Sequence, residues 1–588
     1  MKTFLKVFLA ALVAFVIGSI LCMFIFFGML SAILSFSKSN QAPTIKPNTV
    51  LRIMLDAPVE ERSSNNLSKS NMLSFSMASS VGLNDLVKAL NKAGSDPNIK
   101  MVYMDLSSLS INVAHLEELR NAVLKFKESG KPVIAYGDNL STGAYYLATV
   151  ADRIYLNPFG SLRLQGMGAN VMYMKSMFDK LQVDMQVIRH GKYKSAVEPF
   201  MLNRMSNENR EQTLSLLNSI WYHWLDRIAD ARSMEVQQLR ALIDRGAFTM
   251  ISGAQDAVKY SMVDGLLYKD ELLAELVKLA EEKKERDLKM VDITEYAKTV
   301  KSNFKAKDKI AVVFADGEIT MGKGNEGITA WVFANELRSL RNDSTVKAVV
   351  FRVNSPGGSA QAAEIIAREL ALLNEVKPVV VSMGNFAASG GYWISMPSRL
   401  VIANPTTLTG SIGVFGMLPN VEKGMRNFLG ITVETAKTNH SADFPSIFRP
   451  LTEQERRIFT AGIEDIYDKF LAIVARGRDM EIKDVDAVAQ GRVWTGTQAL
   501  QMHLVDQLGG LSDAIEAAAD LAGLDNYRVR EFPAQKDVFA QLMAMFKGGM
   551  ASTKSSTFLQ AYLKLEEQVE QMQQARILAR MPFDIEIY

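Results

Sequence analysis

The hydrophobic pattern of the chain opens on an unbroken apolar run. After Lys2 and Lys6, no charged residue occurs from Val7 to Phe36. About 30 such residues exceed the ~20 that a helix needs to span a bilayer. A cleaved signal peptide would carry an apolar region of only ~7–15 residues ending in a small-x-small site, and this stretch has no such stop. Residues 1–38 are therefore read as an uncleaved transmembrane anchor. Lys2, Lys6 and the free amine favour a cytoplasmic N-terminus, weakly opposed by Lys38 and Lys46, so the body of the chain is expected outside the cytoplasm.

Past the anchor, short apolar runs alternate with amphipathic stretches. Ile310–Phe314, Ala348–Val353, Val379–Ser382 and Leu400–Ala403 have strand character, and Ala330–Leu340 and Gln361–Leu373 have helical spacing. This alternation predicts an α/β fold with a largely parallel sheet. The pattern also occurs twice. Asp96–Ser108 resembles Asp343–Ser355, Thr142–Tyr146 lies against Ser389–Trp393, and Asn157-Pro158 against Asn404-Pro405. The offset is 247 positions each time (96 to 343, 142 to 389, 157 to 404). One register held through so many segments means a tandem duplication. The repeats are placed at 45–268 and 309–540. A Lys- and Glu-rich helical connector is placed at 269–308 and a helical tail at 541–588, with Ser555–Arg580 as a charged amphipathic helix.

Composition narrows the function. A chain of 588 residues, 48% hydrophobic and 22% charged, has material for several packed units. Its 66 basic and 64 acidic side chains nearly cancel, and no basic stripe is interleaved with aromatics. Nucleic acid is thereby a poor partner. Cys22 is the lone cysteine, which excludes an intrachain disulfide and a cysteine-based zinc site. His115, His190, His223, His440 and His503 are scattered, with no pair at metal-ligand spacing. Neither a metal nor a cofactor is expected.

The two copies have diverged in a complementary way. The second has Asn354-Ser-Pro-Gly-Gly-Ser359, whose glycines let the backbone turn and present unobstructed N–H groups. The first has Ser107–Asn112 there and has lost both glycines. The second continues to Asn385–Gly391, a small-residue turn that can expose the Ser389 hydroxyl at a helix start beside free backbone donors. The first has Thr142 in that slot. Conversely, Lys194 in the first copy corresponds to Ser441 in the second. The lysine survives in one copy and the serine in the other, which points to one composite site where the copies meet. A serine hydroxyl needs a neighbouring base. A lysine, ordinarily near ~10.4, can serve only where burial disfavours its charge. Tyr193, Ala196, Val197 and Phe200 are suitable apolar neighbours. Lys192 competes for the role, and the motif and the repeat favour Lys194.

The segments Asn354–Ser359, Asn385–Trp393, Thr409–Gly413 and Tyr193–Phe200 resemble the signal peptide peptidase A (protease IV) family, peptidase family S49, in its long duplicated bacterial form. The resemblance runs from the anchor to past Val505. It implies ClpP/crotonase-like domains, a homotetramer, and hydrophobic peptide substrates such as released signal peptides. Carried over by motif, Ser389 would be the nucleophile and Lys194 the general base. Ser411 would hold the lysine, and the N–H groups of Gly358 and Gly390 would form the oxyanion hole.

Other signals carry less. Gly317–Gly324 nearly matches a phosphate-binding loop, but Gly324 stands where a magnesium-binding Ser or Thr is required. A triad through His190 lacks a G-x-S-x-G elbow. The rival functions are a catalytically silent, peptide-binding membrane scaffold and an acyl-CoA enzyme; the latter would need neither the anchor nor Lys194.

Overall fold

The computed structural model describes residues 42–63, 80–300, 305–322, 327–534 and 578–580, with scattered helical positions before residue 24. Most of the anchor run Val7–Phe36 lies outside the described residues. Among those described, no helix is long and apolar enough to cross a membrane.

Each repeat is built on a parallel sheet. The first runs in the order Gly265–Leu266, Arg153–Leu156, Val133–Gly137, Ile99–Leu109, Thr49–Leu55 and Met290–Asp292. The second has Leu408–Gly410, Val379–Ala388, Val346–Ser355, Lys309–Asp316 and Arg528–Phe532 in parallel, with Val493–Thr495 antiparallel at one edge. Leu400–Ala403 also pairs with Val379–Ala388. The strands anticipated from the apolar runs all form.

Both faces of the second sheet are covered. Ala311, Val313 and Ala315 pack with Phe333, Leu337, Ile366 and Leu370, while Ile310, Val312 and Phe314 face Ala514 and Ala518. That is why these strands read as continuous apolar runs rather than alternating ones.

The same need corrects the expected connector. The helix Lys269–Leu279 lays Leu272 and Leu276 on Val50, Tyr103 and Ile134, and Met290–Asp292 pairs with Val50–Arg52. Leu511–Ala522 and Arg528–Phe532 do the same for the second sheet. Much of 269–308 is thus the closing helix and strand of the first repeat, there to bury that sheet's second face. The tail also differs from expectation where it is described. Leu578–Arg580 is a strand, not helix, and the rest of Ser555–Arg580 lies outside the described residues.

Two features join the repeats. Asp184–His190 of the first pairs antiparallel with Val414–Asn420 of the second through seven residues, from Val414 opposite His190 to Asn420 opposite Asp184. Elsewhere Arg352, fully buried, donates from Nε to Glu61 Oε2 at 2.8 Å and from Nη2 to Glu118 Oε1 at 2.6 Å. Its Nη1 donates to Ser382 Oγ at 2.8 Å. His115 lies 2.8 Å from Glu61, and Asn404 Nδ2 donates to Glu118 at 2.9 Å. Burial works to raise Glu61, but Arg352 and His115 hold it down at about 2. The charges are taken out of water only because each is paired.

Candidate active site

The strand Val379–Ala388 ends at Ser389, which stands at φ 58° and ψ −116° immediately before the helix Gly390–Ser395. A non-glycine residue in such a conformation stores roughly 1–3 kcal/mol of strain. It is held there by its N–H, which donates to the Gly410 carbonyl at 2.8 Å, and by its own carbonyl, which accepts from Trp393 N at 2.9 Å. The sharp turn directs the hydroxyl away from the strand. Gly390 opens the helix, so its N–H has no intrahelical acceptor.

Beside this turn, Gly357–Ser359 forms a short strand paired with Ile319. Gly358 adopts φ 151°, and a Cβ there would lie 2.1 Å from the Ile319 carbonyl oxygen. No other residue fits without moving one strand off the other. The first copy, lacking the glycine pair, cannot build this approach.

Lys194 follows the inter-repeat strand Asp184–His190. Tyr193 N donates to the Gln490 carbonyl at 2.9 Å, Arg189 Nη1 to the Lys194 carbonyl at 3.0 Å, and Gln212 Nε2 to the Tyr193 carbonyl at 3.0 Å. On its other side is Gly491, at φ 77°, where a Cβ would meet Lys194 Cβ at 2.7 Å. The side chain is fully buried and reaches into the second repeat. Its Nζ lies 2.9 Å from Ser389 Oγ and 3.0 Å from both the carbonyl and the hydroxyl oxygen of Ser411. Ser389 and Ser411 are fully buried too. Burial alone pushes the amine well below the usual lysine value. Among the described residues, no carboxylate forms an ion pair with it.

Lys194, Ser389 and Ser411 are thus brought together, with Gly358 and Gly390 on the two backbone segments beside them. Lys192 is exposed and its Nζ sits 5.2 Å over the Tyr193 ring. Thr142, the counterpart of Ser389, donates its hydroxyl to the Arg163 carbonyl at 3.1 Å, and Ser441, the counterpart of Lys194, is exposed. His190 is stacked on Tyr467 and bonded to Glu464 at 2.6 Å, apart from the serine.

Sequence reading missed Gln212 and Gly491. Gln212 also donates to Ser195 Oγ at 2.8 Å and accepts from Val493 N at 3.2 Å, which fixes the lysine loop against the second repeat. Gly491 lies nearly three hundred positions from Lys194, and only the fold relates them. Glu198, inside the lysine motif, was visible but unassigned. It is buried, accepting from Ser206 Oγ at 2.6 Å and Asn209 Nδ2 at 3.0 Å.

A serine hydroxyl on a strained turn, backed by an amine and flanked by backbone donors, is an arrangement suited to acyl transfer. In a duplicated α/β chain it defines a hydrolase of the serine class. The family model "Peptidase family S49" matches residues 125–283 and 371–525, one segment in each repeat. Protease 4 of Salmonella typhi is 37% identical over 79% of this chain and 76% of its own length. Protease 4 of Haemophilus influenzae is 35% identical, covering 84% and 82%. Serine protease SPPA, chloroplastic, of Arabidopsis thaliana is 32% identical, covering 77% and 68%. The chain belongs to peptidase family S49, and it is a peptidase.

Proposed function

We propose that this peptidase is a membrane-anchored serine endopeptidase using Ser389 as nucleophile and Lys194 as general base. The observation that carries the reading is the 2.9 Å approach of a fully buried lysine amine to the serine hydroxyl. A neutral amine has two N–H groups and one lone pair. The two N–H groups satisfy the Ser411 carbonyl and hydroxyl oxygens, leaving the lone pair for the Ser389 proton. Ser411 is thereby the orienting group.

In the reaction Ser389 Oγ attacks the scissile carbonyl carbon as its proton passes to Lys194. The oxyanion receives the N–H groups of Gly358 and Gly390, donors worth roughly 10²–10³ in rate each. On collapse the lysine ammonium gives its proton to the leaving amine. Water, deprotonated by the same lysine, then frees the acyl group and restores the serine.

The apolar run Val7–Phe36 would hold the body at the outer face of the cytoplasmic membrane, as a single-pass protein in a homotetramer. The substrates proposed are hydrophobic peptides, cleaved signal peptides above all, and unfolded chains. A fluorophosphonate probe tests the chemistry. Labelling is expected at Ser389 and is expected to vanish in Ser389→Ala; labelling elsewhere, or undiminished peptide hydrolysis by that variant, overturns it. Protease added to spheroplasts tests the topology, since protection of the body until the membrane is breached refutes the orientation.

A further inference from the structure

Lys194 is held by its main chain, and the residues that hold it converge on one buried carboxylate. Glu198 is fully buried. It accepts from Ser206 Oγ at 2.6 Å, Ser206 N at 3.3 Å and Asn209 Nδ2 at 3.0 Å, all at the start of the helix Asn207–Ala231. A helix start favours negative charge. Glu198 is also paired with Arg189, 3.6 Å away, and Arg189 Nη1 donates to the Lys194 carbonyl at 3.0 Å. On the other flank Asn209 Oδ1 lies 3.5 Å from Gln212 Nε2, which donates to the Tyr193 carbonyl and to Ser195 Oγ. Gln212 in turn accepts from Val493 N of the second repeat at 3.2 Å. The lysine loop is thus tied to Glu198 through Arg189 on one side and through Asn209 and Gln212 on the other.

The second repeat has no lysine, and it lacks this arrangement as well. At the offset of 247 that sets Lys194 against Ser441 (194 to 441), Arg189 meets Ala436 and Glu198 meets Pro445. Aligning the helix caps Ser206 and Thr452 sets Gln212 against Ile458, which is exposed. Arginine, glutamate and glutamine therefore go with the lysine rather than with the fold that the copies share.

Glu198 does not act on the amine directly. A carboxylate beside the amine would favour the ammonium, whereas burial alone sets the shift at Lys194. The charged groups facing this loop from other elements, Glu211 and Arg492, pair with each other at 3.0 Å. Of those beside it in sequence, Lys192 is exposed and His190 is bonded to Glu464. A base that depends on burial depends on how closely its loop is kept against the second repeat, because water reaching the amine restores its charge. We propose that Glu198 is a positioning residue for the Lys194 base, holding the loop through Arg189 and through Asn209 and Gln212 so that the amine stays out of water. The proposal rests on the reading of Lys194 as the base for Ser389.

The test is the pH dependence of kcat/KM on a fluorogenic apolar peptide for the full-length wild type, Glu198→Gln, Arg189→Met and Lys194→Ala. Glu198→Gln keeps the size of the side chain but turns an amide N–H toward groups that themselves donate. Arg189→Met keeps the bulk at a partly buried residue, and it carries the test should Glu198→Gln not fold. Wild-type activity is expected to rise with pH along a limb set by Lys194. Both variants are expected to move the midpoint of that limb upward by about one pH unit. Their kcat/KM is then about tenfold lower below the limb and within about threefold of wild type on the plateau. Glu198 kept for packing alone would lower activity by the same factor at every pH. Such a uniform loss, or a limb that does not move, overturns the proposal. Lys194→Ala separates this failure from failure of the base itself. Full activity with an unchanged limb in Lys194→Ala removes the base on which the proposal rests. Activity lost in Lys194→Ala, with the limb unmoved in Glu198→Gln and Arg189→Met, keeps the base and removes the role of Glu198.

Discussion

Lys194 and Ser389 stand 195 positions apart in the chain and 2.9 Å apart in space, each contributed by a different repeat. The ribbon between Asp184–His190 and Val414–Asn420 makes this possible, since it delivers the first repeat's backbone to the edge of the second just before Lys194. A single copy of the domain would hold half of the site.

The two neighbouring lysines are accordingly unequal. Lys194→Ala removes the amine that lies 2.9 Å from the serine hydroxyl, and a loss of at least ~10³-fold in kcat/KM is expected, as for other nucleophiles deprived of their base. Lys192→Ala, exposed and over the Tyr193 ring, should stay within a few-fold of wild type. Steady-state kinetics on an apolar peptide decide the matter, and the reverse ranking would show that the wrong lysine had been chosen.

Gly358→Ala places a methyl 2.1 Å from the Ile319 carbonyl oxygen, in a backbone conformation that alanine rarely adopts. The strand must shift, carrying an N–H off the oxyanion position. A fall of roughly 10²-fold in kcat with little change in KM is expected, since the donor acts on charge that develops in the transition state. Fluorophosphonate labelling of Ser389 should slow in parallel. Unchanged kcat would remove Gly358 from the oxyanion hole.

Much of the site was legible because duplication supplies an internal control. Where one copy keeps Gly357-Gly358 and Ser389 and the other keeps Lys194, the differences single out residues that the fold brings together, without any other sequence for comparison. The parallel strands were legible for a related reason, being buried on both faces. What could not be read were relations with no local pattern. Gly491 against Lys194, Gln212 between the lysine loop and Val493, and Arg352 between Glu61 and Glu118 each join residues far apart in sequence. The connector misled because its charged outer face masked Leu272 and Leu276, which are buried on the sheet. The strand Leu578–Arg580 sits in a stretch whose helical periodicity says nothing of an edge awaiting it.

Arg352 gives a prediction about stability rather than chemistry. Arg352→Met leaves Glu61 and Glu118 buried without their cation, and breaking such a pair costs about 3–5 kcal/mol. Urea denaturation near neutral pH should show that loss. Acid should narrow the gap. Glu61, held at about 2 in the fold, contributes stability that is present above its unfolded value and is lost as pH falls through the folded one. Near pH 3 the variant can protonate the carboxylate it cannot pair, so its deficit shrinks. A deficit independent of pH would mean that the arginine acts through packing alone.

Lys194 makes the last prediction, because its sign is opposite to that of most lysines in folded proteins. Burial lowers its pKa, so at any pH between the folded and the unfolded values the folded amine is neutral while the unfolded one, near ~10.4, carries a proton. The unfolded state then binds more protons, and stability rises with pH between the folded and the unfolded values. Lys194→Met lacks this group. The stability of wild type relative to Lys194→Met should therefore climb as pH is raised from 7 toward 10, whatever constant offset comes from the lost bonds to Ser411. Activity should rise with pH through the lysine's folded value and then level off, because in the proposed mechanism the reactive form is the neutral amine. Denaturant titrations of both proteins across that range, with kcat/KM measured on the wild type, provide the comparison. A relative stability that is flat or falls with pH would mean that Lys194 keeps its proton in the fold, and a protonated lysine has no lone pair to offer Ser389.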